Sequence, residues 1–272
     1  MNDSLQRNDY EEPRCLLNMH PEITTVPVRR IIDKLDSYLN QNDYDAAERH
    51  LRYWLSEAEA CHDMHGKLTI LNEQIGLYRK TGREPECLGA VSDALSLAKS
   101  MDIEESVTFG TTLINAATGY KAFGKAEDAL PLYRKARTLY ESTLDSNDGR
   151  LGGLYNNMAL ALVDLKEFGE AKDLYNKAMT VMEKQENGAL ETAITCLNLA
   201  DLVAAESGIE AREEEIEKHL QKAEELLDTE SLPRDRYYAF VCEKCAPVFG
   251  YYGYFITEQK LNQRAREIHD RT

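Results

Sequence analysis

A pattern of small and aromatic residues recurs along this chain about every 42 residues. In its two clearest copies a polar turn precedes an alanine, an aromatic residue and a second alanine at identical spacing. These copies are Ala129, Tyr133 and Ala136 after the turn at Gly124, and Ala171, Tyr175 and Ala178 after the turn at Lys166. A unit of this length repeated at a fixed period predicts a stacked array, in which each unit packs only against its neighbours.

Weaker copies extend the pattern over nearly the whole chain. The first packing positions of six successive units are separated by 40, 42, 42, 41 and 46 residues: Ile31, Leu71, Leu113, Tyr155, Cys196 and Cys242. Residues 1–27 contain three prolines and no helical period, which predicts an irregular lead-in. The predicted divisions are this lead-in at 1–27, about five helix pairs at 28–233, and a degenerate pair or cap at 234–272.

Each unit is expected to be a pair of antiparallel helices. In the third unit Leu113, Ala116 and Tyr120 fall on one face of a first helix, because their spacing follows the helical turn. Gly124 marks the turn, since glycine readily adopts the left-handed backbone that ends many helices. Ala129 then begins the packing face of the second helix, where a small side chain lets two helices approach closely.

These features resemble the tetratricopeptide repeat family over about residues 28 to 270. The segments Leu154–Leu160 and Ala129–Tyr133, in units longer than the usual 34 residues, are similar to the kinesin light chain variety. The resemblance implies an all-α, right-handed α-solenoid of helix pairs with a C-terminal capping helix pair. It also implies that the first helix of each pair lines a concave groove that binds a protein or an extended peptide.

A row of amides is expected to face this groove. Two residues after the first packing position, three consecutive units carry an asparagine: Asn115, Asn157 and Asn198. A primary amide both donates and accepts hydrogen bonds, so such a row can pair with a peptide backbone. The alternative is that these amides bond between neighbouring helices and hold the array together. The predicted peptide-binding residues are Asn72, Arg79, Asn115, Lys121, Asn156, Asn157 and Asn198. The basic residues among them favour a partner with some acidic character.

The charge of the chain argues against several kinds of partner. With 32 Lys and Arg against 48 Asp and Glu, the net charge of −16 opposes binding to nucleic acid or to an anionic membrane surface. We expect no apolar stretch of the roughly 20 residues that span a bilayer. We also expect no signal peptide at Met1–Arg7, which lacks an apolar core. Six cysteines are too few for a disulfide scaffold, so a reducing cytoplasm is the expected location.

The sequence contains no motif that predicts catalysis, a cofactor or a metal site. Cys242 and Cys245 have a CxxC spacing, but both fall on packing positions of the sixth unit, so we interpret them as buried packing residues. The alternative is a metal or redox protein that uses this pair. The cluster Cys61–His65 is interpreted as a helix end, because its members are too close in sequence to converge on one metal.

The expected function is non-catalytic binding of a protein or peptide, as an adaptor or scaffold. A second possibility is a peptide-sensing receptor that regulates a separate effector protein. Eight aromatic residues between Tyr237 and Phe255 are expected to seal the end of the array. Alternatively, they form a platform for a partner or for self-association. A further hypothesis is that residues 1–27 lie in the groove and compete with the partner.

Overall fold

The structure is a computed structural model that describes residues 25–186 and 188–271. These residues form twelve α-helices and no β-strand, and the chain divides into two compact units, residues 1–104 and 105–272. The first unit contains α1 (Val28–Asn40), α2 (Tyr44–Ala60), α3 (Met64–Lys80) and α4 (Glu84–Ser100). The second contains α5 (Val107–Ala122), α6 (Ala126–Thr143), α7 (Gly149–Asp164), α8 (Phe168–Met182), α9 (Gly188–Ser207), α10 (Glu213–Leu227), α11 (Arg236–Tyr251) and α12 (Phe255–His269).

The helices pack in consecutive pairs, as the repeat predicts. In the second unit the most extensive contacts join α5 to α6, α7 to α8, α9 to α10 and α11 to α12. The predicted all-α class is therefore confirmed. The predicted divisions at residues 27 and 233 stay predictions, and the boundary between the two compact units falls at residue 104. Residues 1–24 lie outside the described residues, so the hypothesis that residues 1–27 occupy the groove also stays a prediction.

A residue with left-handed backbone follows the first helix of each of the six described pairs. These residues are Asn42, Gly82, Gly124, Lys166, Gly208 and Gly253. At Gly124, where φ is 73°, the next N–H, that of Lys125, donates to the carbonyl of Tyr120 at 3.1 Å. Such bonds satisfy carbonyl groups that the helix end would otherwise leave without a partner. The turn predicted from Gly124 is confirmed, and Lys166 adopts the same conformation without being glycine.

The small residues of the pattern lie where the paired helices meet. Ala129, Ala136, Ala171 and Ala178 are each 0% exposed. The aromatic residues between them are also buried, with Tyr133 at 1% and Tyr175 at 0%. The structure thus confirms the predicted arrangement, in which alanine permits close approach and tyrosine fills the neighbouring volume.

The two central tyrosines differ in one hydrogen bond. The hydroxyl of Tyr133 lies 3.0 Å from Oγ1 of Thr118 on the preceding helix. The hydroxyl of Tyr175 is buried without a hydrogen-bond partner among the described residues. The reason lies in the repeat, because the position 42 residues after Thr118 is Leu160, which has no polar atom to offer. Burial raises the pKa of Tyr175 well above the ordinary value of tyrosine.

We expect opposite effects from removing these two hydroxyl groups. Tyr133→Phe should lower the free energy of unfolding by about 1 kcal/mol, because a satisfied hydrogen bond is lost. Tyr175→Phe should leave it unchanged or raise it by up to about 1 kcal/mol, because an unpaired buried hydroxyl is removed. Chemical denaturation followed by circular dichroism measures both, and equal losses in the two variants would contradict this assignment.

The core of the first unit consists of apolar side chains from α1, α2 and α3 and from Val26, which lies two residues before α1. This core contains Val26, Ile31, Leu35, Ala47, Leu51, Trp54, Ala58, Ile70 and Leu77. The carboxylate of Asp63 caps α3 by accepting a hydrogen bond from the N–H of Gly66 at 2.9 Å. It also accepts one from the N–H of Val26 at 2.9 Å. The interpretation of Cys61–His65 as a helix end is confirmed, because α2 ends at Ala60 and α3 begins at Met64.

The last pair departs from the pattern at two positions. Glu258 stands where the repeat has alanine, and Gly250 on α11 makes room for it: a Cβ atom at Gly250 would overlap the carboxyl group of Glu258. Phe255, which we expected to help seal the end of the array, is 62% exposed, so that expectation was wrong for this residue. It lies two residues before the buried Thr257, and two residues turn a helix by about 200°, to its opposite side.

Candidate functional site

The first helices of the pairs form the inner wall of the second unit. Neighbouring first helices contact one another, α5 with α7, α7 with α9, and α9 with α11. Neighbouring second helices of this unit make no contact of that extent with each other among the described residues. Because a curved array is most closely spaced on its concave side, the wall of α5, α7, α9 and α11 is the concave one. This agrees with the position of the groove implied by the family resemblance.

Asn156 belongs to the fold and not to an open groove. It is 6% exposed, and its amide nitrogen donates to Oγ1 of Thr195 on α9 at 2.7 Å. Thr195 in turn donates to the carbonyl of Glu191 at 2.8 Å. Asn156, which we predicted to bind peptide, therefore joins two neighbouring helices. The second amide atom, Oδ1, is buried without a hydrogen-bond partner among the described residues.

The three asparagines of the expected row lie at the middle of α5, α7 and α9. Asn115, Asn157 and Asn198 are each partly exposed. Asn115 takes part in an interaction within the protein. In the described part of the chain, the side chains of Asn157 and Asn198 make no hydrogen bond, so both amides keep their donors and acceptor for another molecule.

Lys121 and Asp164 join two neighbouring first helices at their C-terminal ends. The Lys121 Nζ lies 3.4 Å from Oδ2 of Asp164, and both side chains are partly exposed. Lys121 was expected to give the groove positive charge, but a carboxylate balances it here. The pairing arises because the two residues occupy nearly equivalent places on adjacent repeats.

Two of the predicted peptide-binding residues, Asn72 and Arg79, belong to the first unit. Asn72 is partly exposed on α3, and its amide donates to the carbonyl of Leu68 one turn earlier at 3.0 Å. Arg79 is exposed in the last turn of α3. Burial raises the pKa of Cys87, and the charge of Arg79 opposes that rise in part.

The sequence interpretation overlooked a polar group near the start of α9. The carboxylate of Glu191 accepts a short hydrogen bond from the hydroxyl of Tyr237 on α11. Burial raises the pKa of Glu191, and the charge of Lys244 partly opposes that rise. The sequence spacing could have revealed Glu191. It precedes Asn198 by seven residues, which is two helical turns, so both residues lie on the same face of the helix.

The aromatic run near the C-terminus divides between core and surface. Tyr238 and Phe249 are fully buried, as sealing the array requires. Tyr237, Phe240 and Tyr251 are 41%, 53% and 70% exposed. The expectation that this run seals the array is therefore confirmed for the buried rings, and the platform for a partner or for self-association stays a prediction.

The cysteines of the CxxC pair pack inside the last repeat. Cys242 and Cys245 are 0% and 1% exposed. Burial raises the pKa of both thiols, that of Cys245 to about 12, which disfavours the thiolate that metal binding or redox exchange requires. No group of three metal-binding side chains occurs within residues 25–186 and 188–271.

The helix α9 corrects one expectation drawn from the sequence. Its 20 residues, Gly188–Ser207, are long and apolar enough to cross a membrane, although no such stretch was expected. In the structure 67% of its most apolar window is buried inside the protein, between other helices. That burial is typical of the central helix of a folded domain, so length and composition alone are weak evidence for a membrane span.

Comparison with known proteins identifies the fold. No protein-family model matches the chain, and no curated protein matches its sequence. Among solved structures, a kinesin light chain from Podosopora anserina with nearly identical TPR-like repeats is 16% identical, with a TM-score of 0.53 over 75% of this chain and 96% of that one. BtubC (BKLC) from P. vanneervenii is also 16% identical, with a TM-score of 0.50 over 90% of this chain and 92% of that one. The resemblance seen in the sequence is thus confirmed at the level of structure, and the chain has the tetratricopeptide-like helical-repeat solenoid fold.

Proposed function

We propose that the concave wall of residues 105–272 binds an extended segment of a partner protein. The observation that carries this proposal is the contrast between adjacent asparagines on α7. Asn156 is bonded to the neighbouring helix, whereas the partly exposed amide of Asn157 has no hydrogen bond in the described chain. Asn198 on α9 is likewise partly exposed, and its side chain makes no hydrogen bond in the described chain. Two amides that the fold does not use, on adjacent helices of one wall, suit the backbone of an extended peptide.

The proposed role is that of a non-catalytic scaffold or adaptor. Asn115 extends the row onto α5, and the carboxylates of Asp164, Glu191 and Asp201 lie on the same first helices. Because Asp164 balances Lys121, we no longer favour an acidic partner at this wall. A cytoplasmic location suits the buried thiols, which stay reduced there.

The proposal is tested by the affinity of peptides selected by the protein itself. Purified protein selects 12-residue peptides from a random display library, and fluorescence anisotropy measures their dissociation constants. The double variant Asn157→Ala/Asn198→Ala should weaken binding by about tenfold to a hundredfold, because about two to three hydrogen bonds to the peptide backbone are lost. Its free energy of unfolding should change by less than about 0.5 kcal/mol, since neither amide supports the fold.

Asn156→Ala is the matched control. It should lower the free energy of unfolding by about 1 kcal/mol, because the bond to Thr195 is lost, while peptide affinity stays within about twofold. Wild-type affinity in the double variant would refute the assignment of the binding wall.

A further inference from the structure

A pocket of about 570 Å³ lies at the C-terminal ends of α9 and α11. Its apolar lining is formed by Ala204, Ala205, Ile209, Pro247, Val248 and Tyr251. Its polar groups come from Asp201 and Tyr252, and the hydroxyl of Tyr252 donates to Oδ1 of Asp201 at 2.9 Å. The pocket therefore combines apolar and aromatic walls with a single carboxylate.

The carboxylate of Asp201 is not balanced by a cation of the protein. It is the only charged side chain that lines the pocket, and it forms no ion pair with any residue in the described ranges. Asp201 is an exposed residue, but nearby protein atoms partly desolvate its carboxylate and raise its pKa, an effect that the hydrogen bond from Tyr252 opposes in part. A cation placed beside this carboxylate would stabilise its charged form.

The chain that continues from the pocket lining at Gly208 and Ile209 is acidic. Between Gly208 and Glu230 there are nine carboxylates and three basic residues. Each basic residue is already paired: Arg212 with Glu215, Lys218 with Glu214, and Lys222 with Glu225. From other helices, Lys172 pairs with Glu215, and Lys260 and Arg264 pair with Asp228. The carboxylates of this segment still outnumber all of these cations, and the remaining negative charge repels an anionic ligand and attracts a cationic one. A purely apolar ligand would cover Asp201 without compensating its charge.

We propose that this pocket binds a lysine or arginine side chain of the partner. The proposal rests on the proposed function, since Asp201 follows Asn198 by one turn of α9 and both can contact one peptide segment. The cationic group pairs with Asp201, and the aliphatic stem lies against Pro247. The exposed ring of Tyr251 offers the cation an aromatic face.

The test uses the peptides selected from the display library. We expect the selected peptides to share one lysine or arginine position, and Asp201→Asn to weaken their binding about tenfold or more. Replacing that basic residue by glutamine should weaken binding to the wild type by a similar factor and have little further effect on Asp201→Asn. The control Asp173→Asn makes the same change of charge at an exposed position of α8 and should keep wild-type affinity.

Three results would overturn the proposal. The first is a set of binding peptides with no shared basic position, and the second is equal affinity of Asp201→Asn and Asp173→Asn. The third is a dimer in light scattering that Tyr251→Ala dissociates, because a second copy of the chain would then occupy the pocket.

The same variants distinguish the pocket from the binding wall. If Asn157→Ala/Asn198→Ala weakens binding while Asp201→Asn does not, the pocket is refuted and the binding wall stands. If Asp201→Asn weakens binding while the double variant does not, the binding wall is refuted instead. Thermal unfolding of each variant confirms that it is folded.

Discussion

Ala171→Glu is expected to lower the free energy of unfolding by more than about 3 kcal/mol. Ala171 is 0% exposed at the contact between paired helices, where the larger side chain has no space and its charge has no partner. The position lies in the first turns of α8, where the helix dipole favours a negative charge by about 0.3–1 kcal/mol. This gain is several times smaller than the cost of burying the charge, so the variant should be strongly destabilised.

Chemical denaturation with circular dichroism as the signal measures this loss. Ala122→Glu is the matched control, because Ala122 is exposed at the end of α5 and the same substitution there should cost less than about 1 kcal/mol. If Ala171→Glu were as stable as the control, Ala171 would not lie on a packing face and the repeat register would be wrong.

Gly110→Leu is expected to cost about 2–3 kcal/mol of unfolding free energy. A Cβ atom at Gly110 would overlap Cε1 of Tyr140 and lie 2.8 Å from its Cδ1. The ring is 1% exposed, and its hydroxyl is bonded to Oγ1 of Thr111 at 2.7 Å, so it cannot move aside without losing that bond. Chemical denaturation again provides the measurement.

Gly153→Ala provides the opposite case. Gly153 lies in α7, and beyond its chain neighbours and the adjoining helix backbone no atom lies within 4 Å of the position its Cβ would take. Alanine there should raise the free energy of unfolding by about 0.5–1 kcal/mol, because glycine is the poorer helix former. A gain in stability at Gly110 as well would mean that Tyr140 does not pack against that residue.

The sequence predicted the helix pairs and their packing faces because both depend on spacing. Alanine and tyrosine recur at intervals that place them on one side of a helix, and Ala129, Ala136 and Tyr133 are buried accordingly. Phe255 was misplaced because the last pair breaks that interval. The apolar run of α9 was not recognised in the sequence, and its burial is evident only from the helices that pack around it.

The individual hydrogen bonds of the candidate site were beyond prediction. Asn156 and Asn157 are the same residue type at adjacent positions, and both were predicted to bind peptide. Their difference arises from the 100° that separates neighbouring residues on a helix, which turns Asn156 towards Thr195 and leaves Asn157 on the open wall. Likewise, Lys121 was expected to give the groove positive charge, because the sequence does not show that the adjacent helix places Asp164 beside it.

The pairwise contacts between successive helices also determine how the second unit should open. Within the second unit α11 and α12 make extensive contacts only with each other and with the preceding pair, so their loss leaves most of the remaining interfaces of this unit intact. Amide protons of α11 and α12 should therefore exchange with solvent sooner than those of α7, α8 and α9, which have helix pairs of this unit on both sides. Asn157 and Asn198 lie on α7 and α9, so the amides proposed to hold a partner belong to the most persistent part of this unit.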